Sequence, residues 1–294
     1  DVYKRQNYDS ANIIHSNGKF YLLVGTSTSN RDHFYIVDAK TLYYENSAVV
    51  GANLSGLTIL NEQYGLVTGD GIRRIDLKSL NNVRIKNERL LCFYNSIIYN
   101  GKVLSNDTYK DESKVKYYDV NELIAAKEGE APAVTELDII QKQKINFVLA
   151  KDGNVYTLES ADNGCNIVKI KNDFTLEKVF ANFQPAKGPY HSSPTIGMVA
   201  SETENIIYLV STDGAIYKYI LGDSDSLKAP FIAAESGVSI TAPLQLNQQS
   251  GELYVTYTEE RKDESKIVVY SKDGKVLHTV DCGESVPSQI LFNN

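Results

Sequence analysis

Apolar and polar residues alternate with a period of two through most of the chain, in short runs bounded by Gly, Asn and Asp. That pattern predicts β-strands joined by tight turns. One motif recurs, a polar turn followed by an alternating strand. Its copies are NGKFYLLV (17–24), EQYGLVTG (62–69), NGKVLSND (100–107), DGNVYTLE (152–159), ENIIYLVS (204–211) and SGELYVTY (250–257), 38 to 52 residues apart. A polar loop and a second alternating strand follow each copy, as in HFYIVDAKTL, GIRRIDLKSL and KVKYYDVNEL. An apolar strand precedes each copy and a more polar strand closes the unit. Four strands in forty to fifty residues describe a propeller blade, so the expected class is all-β. One helical stretch, NELIAAKEGE (121–130), reads as a decoration of the third unit.

Complete four-strand units are expected at about 7–50, 54–89, 90–140, 145–182, 192–234 and 241–283. VPSQILFNN (286–294) then reads as one more innermost strand. A propeller blade completed from both chain ends leaves no open sheet edge. The first unit already has its own inner strand, so the last strand needs partners from before residue 7. The first six residues, DVYKRQ, join no apolar pattern. They can be encoded as GAT GTG TAT AAG AGA CAG, which resembles a transposon end used in preparing DNA for sequencing. Residues 1–6 are therefore expected to be a non-native library scar. Residues 7–294 are expected to be one N-terminally truncated propeller domain of a metagenomic fragment. Seven blades are expected in the intact protein, with six complete blades and one inner strand here.

Asp38, Asp76 and Asp119 each end a second strand, where a short carboxylate accepts backbone N–H bonds of the next turn. Tyr21, Tyr156, Tyr208 and Tyr254 lie on strands and are expected to pack between blades.

The net charge of −7 argues against nonspecific nucleic-acid binding, which rests on Lys and Arg neutralising phosphates. No apolar run approaches the length that spans a bilayer. Cys92, Cys165 and Cys282 are widely separated and form no CxxC pair, as expected of small buried hydrophobes. His15, His33, His191 and His278 come from different units and show no metal-ligand spacing. No catalytic elbow or phosphate loop occurs, and no cofactor is expected. Trp is absent, which weighs against WD-repeat, Asp-box and quinoprotein propellers.

The C-terminal third is more specific. Gly251, Tyr254, Val255 and Thr256 form a G-x-x-Y-V-T strand. Val269, Tyr270, Asp273, Gly274 and Lys275 form V-Y-x-x-D-G-K, and Gly283 and Pro287 form a closing turn. This resembles the YncE-like surface propellers of Bacteroidetes, in outline over the chain and specifically over about its last ninety residues. The resemblance implies an outer-membrane lipoprotein at the cell surface or in the periplasm, partnered by a TonB-dependent transporter. It also implies a noncatalytic module capturing a nutrient or cofactor, with cobalamin among the family's ligands. The loop YTEERKDES departs from the family pattern. A propeller enzyme of lyase or lactonase type, or a protein-interaction scaffold, is the alternative.

Binding is expected on the face carrying the interblade connections and the loops between second and third strands, since loops on a rigid scaffold carry function. The candidate residues there are Arg31, Tyr109, Lys110, Lys187, Tyr190, His191 and Arg261, offering amphipathic rings and cations to a polar ligand or protein partner. The connection 184–194, with its prolines, Lys187, Tyr190 and His191, is the expected centre.

Overall fold

The computed structural model describes residues 8–26, 31–51, 56–69, 71–86, 96–106, 113–130, 132–141, 147–186, 197–259, 264–283, and residues 287, 290 and 292. The chain is an all-β propeller built of antiparallel blades. It forms two compact units, essentially Asp1–Lys142 and Gln143–Phe292.

The first unit holds three blades. Blade 1 is β1 (Tyr8–Ser16), β2 (Lys19–Thr26), β3 (Asp32–Asp38) and β4 (Tyr44–Gly51). Blade 2 is β5 (Gly56–Ile59), β6 (Tyr64–Thr68), β7 (Ile72–Asp76) and β8 (Asn82–Lys86). Blade 3 is β9 (Ile97–Tyr99), β10 (Lys102–Asn106), β11 (Ser113–Asp119) and β12 (Val134–Gln141), with helix α1 (Val120–Ala125) between the last two. In each blade the strands pair antiparallel in chain order, with helix α1 in place of a short turn before the last strand of blade 3.

The second unit holds the other three. Blade 4 is β13 (Val148–Leu149), β14 (Val155–Ala161), β15 (Gly164–Ile170) and β16 (Leu176–Phe183). Blade 5 has β17 (Met198–Ala200), β18 (Ile206–Val210) and β19 (Ile216–Ile220). Blade 6 has an inner strand split into β20 (Val238–Ile240) and β21 (Gln245–Leu246), then β22 (Leu253–Glu259), β23 (Ser265–Tyr270) and β24 (Val276–Gly283).

Two expectations need correction. Among the described residues the fifth unit has three strands, not four: after β19 the chain makes a 3-10 turn at Ser224–Leu227, and only isolated bridges, Asp223 to Ile220 and Ile232 to Ile216, pair back to β19. LGDSDSLKAPF lacks period-two alternation, and its Asp223 carboxylate accepts from the Asp225 N–H, favouring a turn. Helix α1 is also more than a decoration. Asp119 caps it by accepting from the N–H groups of Asn121 and Glu122, and Leu123 is fully buried against blade 2. Arg74 of β7 donates to the carbonyls of Ile124 and Ala126 at the helix end, satisfying acceptors left open there.

Within each unit the core lies between neighbouring blades. Tyr21, Leu23, Phe34 and Ile36 of blade 1 meet Leu57, Val67 and Ile75 of blade 2. Tyr156, Leu158 and Ile167 of blade 4 meet Ile207, Leu209 and Tyr219 of blade 5. Tyr208 and Val210 of blade 5 meet Val255 and Tyr257 of blade 6. Where successive positions are apolar, as in IIYLV of β18, both faces of a blade are apolar, and burying them is the main stabilising contribution, about 1.5–3 kcal/mol for each large side chain fully buried. Tyr21, Tyr156 and Tyr208 pack between blades as expected. Tyr254 instead lies on the face of β22 turned from this cluster, its ring 5.0 Å from that of Phe292. Apart from Pro287, Ile290 and Phe292, the segment 286–294 lies outside the described residues, as do residues 1–6.

Candidate functional site

Of the seven residues expected to bind ligand, Tyr109, Lys110, Lys187, Tyr190, His191 and Arg261 lie outside the described residues. Arg31 is described; it is exposed and immediately precedes β3. Among described residues the structure therefore brings no two of this set together.

The repeated Asp residues serve their turns. Asp38 accepts from the N–H groups of Lys40 and Thr41 and from the Thr41 hydroxyl, at 3.1, 2.7 and 2.7 Å. Asp76 does the same with Lys78 and Ser79. Asp119 caps α1 and pairs with Lys102 at 2.7 Å. These donors hold all three carboxyls below the ordinary range, led by the Thr41 hydroxyl, the Ser79 N–H and the Lys102 ammonium respectively.

Cys165 is buried, and burial pushes its thiol up to about 11, which leaves it a poor nucleophile. His15 lies against Phe20 and His33 stacks on Tyr35. Among the described residues no group of three His, Cys, Asp or Glu could hold a metal ion.

One ionisable group converges beside a surface depression. Blade 4 carries a concavity of about 400 Å³ lined by Asn154, Lys169, Lys171, Asn172 and Asp173. It lies at the turns joining β13 to β14 and β15 to β16, the end of the blade opposite the expected loops. The local sequence explains the site. In DGNVY, Gly153 takes a positive φ of 74° in the turn, and the Asp152 carboxylate accepts from the Asn154 N–H at 3.1 Å. The β14–β15 hairpin sets Lys169 directly opposite Tyr156. The Tyr156 hydroxyl and the Lys169 ammonium both donate to Oδ2 of Asp152, each at 2.9 Å. The Lys169 nitrogen also stands 5.8 Å from the centre of the Tyr156 ring. Beside them, Lys171 pairs with Glu177 at 2.9 Å.

The electrostatics separate the roles. Burial works to raise the Asp152 carboxyl, but hydrogen bonds from Lys169, Tyr156 and Asn154 outweigh it, so the group lies below its ordinary value. Burial first, and then the bond to Asp152, push the Tyr156 phenol well above its own. At neutral pH the site therefore presents a carboxylate and a protonated phenol, with Lys169 paired to the carboxylate. Sequence reasoning missed it by treating Asp152 as a turn residue and Tyr156 as packing, and each is that as well.

Residues 2–293 match the family described as Domain of unknown function (DUF5074). A solved structure, a Quinonprotein alcohol dehydrogenase-like protein from Bacteroides thetaiotaomicron VPI-5482, is 99% identical with a TM-score of 0.94. The match covers 99% of this chain and 70% of that one. Virginiamycin B lyase from Staphylococcus aureus matches at 12% identity and a TM-score of 0.53, over 95% of this chain and 85% of its own. That likeness shows the fold alone. No curated protein sequence matches the chain.

These findings overturn the resemblance to YncE-like surface propellers, which rested on strand and turn motifs that many propellers can share. With it goes the expectation of a noncatalytic module capturing a nutrient for a TonB-dependent transporter, since the near-identical relative carries an enzyme-type name. Among the described residues no helix is long and apolar enough to cross a membrane. The chain belongs to the family described as Domain of unknown function (DUF5074).

Proposed function

We propose that this propeller is catalytic, and that Asp152, Lys169 and Tyr156 supply acid–base chemistry at the depression on blade 4. The observation that carries this reading is the convergence of an ammonium and a phenol on one carboxylate oxygen beside a concave polar surface. Asp152 and Tyr156, whose proton affinities are shifted, lie beside this surface and Lys169 lines it; such convergence is one physical mark of a functional site. In this reading the Asp152 carboxylate accepts a proton from the substrate. The Lys169 ammonium stabilises the negative charge that develops, and the Tyr156 phenol holds the carboxylate in place. The Asn154 and Asn172 amides suit a small polar substrate.

The relative's name raises the question of a quinone cofactor. A quinone is a flat conjugated ring system and needs a ring-faced or apolar slot. The depression has no aromatic or apolar residue in its lining. The depression does not fit such a group. Proton transfer of the elimination or lactone-opening kind is the chemistry these side chains can perform unaided.

A turnover screen tests the reading. The protein is offered a panel of chromogenic lactones and of hydroxy acids whose elimination yields an absorbing alkene. Turnover that Lys169→Met abolishes is the expected result. Turnover indifferent to Lys169→Met, or none across the panel, contradicts it.

A further inference from the structure

Blade 1 has two apolar faces, and the first unit covers one of them. On the covered face Tyr21, Leu23, Phe34 and Ile36 are at most 3% exposed, packed against blade 2. On the opposite face Phe20, Leu22 and Val24 of β2 stand beside Val37, Tyr35 and His33 of β3, in strict register. These side chains are half-buried, and Tyr44 of β4, opposite Val37, is 61% exposed. A sheet face meant for water alternates polar residues into that row. This row is apolar and aromatic, like the interblade faces. Blade 5, inside its unit, shows the contrast: Ile207, Leu209 and Tyr219 on one face and Tyr208, Val210 and Ile216 on the other are all at most 2% exposed.

We infer that this face of blade 1 is an interblade interface, and that its occupant is a further four-stranded blade of the same polypeptide, supplied by chain outside these 294 residues. Two observations select that occupant. The row has the composition and register of faces that neighbouring blades fill elsewhere in each unit. The near-identical relative is also longer, with 30% of its length outside the match, ample for a blade at the observed repeat of 38 to 52 residues.

The test compares the 294-residue chain with the longer polypeptide of the relative, each carrying Leu22→Asp or Tyr35→Asp. Burying a carboxylate in a packed interface is costly, whereas placing one on an open face is not. The expected result is a Tm loss of about 10 °C or more in the longer chain and of about 3 °C or less in the 294-residue chain. Should the Asp variants of the longer chain not fold, Leu22→Ala is compared in both, with the larger loss again expected in the longer chain. An apolar dye should bind the 294-residue chain more strongly than the longer one, and Leu22→Asp should reduce that binding. Equal Tm losses in both chains would mean that the 294 residues already cover the face, overturning the proposal. No loss in the longer chain would mean a solvent-facing row, with the same consequence. A 294-residue chain that sediments as a dimer and is dispersed by Leu22→Asp would assign the face to a second copy instead.

Discussion

Tyr156, 2% exposed in the core between blades 4 and 5, donates its phenolic hydrogen to the half-exposed turn carboxylate of Asp152 at 2.9 Å. The bond ties interblade packing to the polar depression. Tyr156→Phe keeps the ring and removes the donor. A hydrogen bond to a charged group contributes about 1.5–3 kcal/mol, and urea unfolding should show a loss of that size. A loss below about 0.5 kcal/mol would mean that water replaces the phenol without cost.

The turn carboxylates set the acid limit of stability. Asp76, Asp119 and Asp152 have folded-state affinities for protons below the ordinary carboxylate value. A lowered folded value contributes stability that is present above the unfolded pKa and lost as pH falls through the folded one. The melting temperature should therefore be flat from pH 7 down to about 5 and fall below about 4. Asp76→Asn should start from a lower Tm and lose less of it over the acid range. A wild-type Tm unchanged at pH 3 would contradict the assignment.

Helix α1 joins blade 3 to blade 2 through Leu123 and Arg74. Leu123→Ala leaves a cavity at a fully buried position, for which about 2–5 kcal/mol is the usual cost. Arg74→Met should cost about 1–3 kcal/mol by leaving carbonyls at the helix end without their donor. Chemical denaturation measures both. A decorative helix would give near-zero losses.

Gly164 opens β15 at a φ of 116°, and a Cβ there would stand 2.5 Å from the Phe183 carbonyl oxygen. Gly164→Ala should cost about 2 kcal/mol or more, as backbone strain and a main-chain clash combine. Thermal unfolding of the variant checks this, and an unchanged Tm would show that the hairpin can shift.

Strand content is legible because short apolar runs bounded by Gly, Asn and Asp mark it: strands buried on both faces read as near-continuous runs, as in IIYLV of β18, and half-buried ones alternate, as in DHFYIVD of β3. The fifth blade falls a strand short of the repeat because Gly222, Asp223 and Pro230 favour turns where the repeat calls for a last strand. The site was harder to see. Asp152, Tyr156 and Lys169 are ordinary one by one, and only strand register unites them. The Asp162–Asn163 turn was a usable signal: it pairs Ala161 with Gly164, and counting back from that pair sets Tyr156 opposite Lys169. The side-chain reach that brings both onto Asp152 depends on the turn's conformation, which the sequence suggests through Gly153 but does not specify.

The most direct measurement of the catalytic reading is the turnover of Asp152→Asn beside its melting temperature, on a substrate found in the lactone and elimination screen. Asn keeps the size of the side chain and the acceptor for the Asn154 N–H, but it cannot take a proton. A positioned general base contributes about 100-fold or more to rate. The expected result is a fall in kcat of at least that factor with a Tm lower by only a few degrees. An Asp152→Asn variant that turns over at the wild-type rate while melting lower would make the group a structural staple and place the chemistry elsewhere.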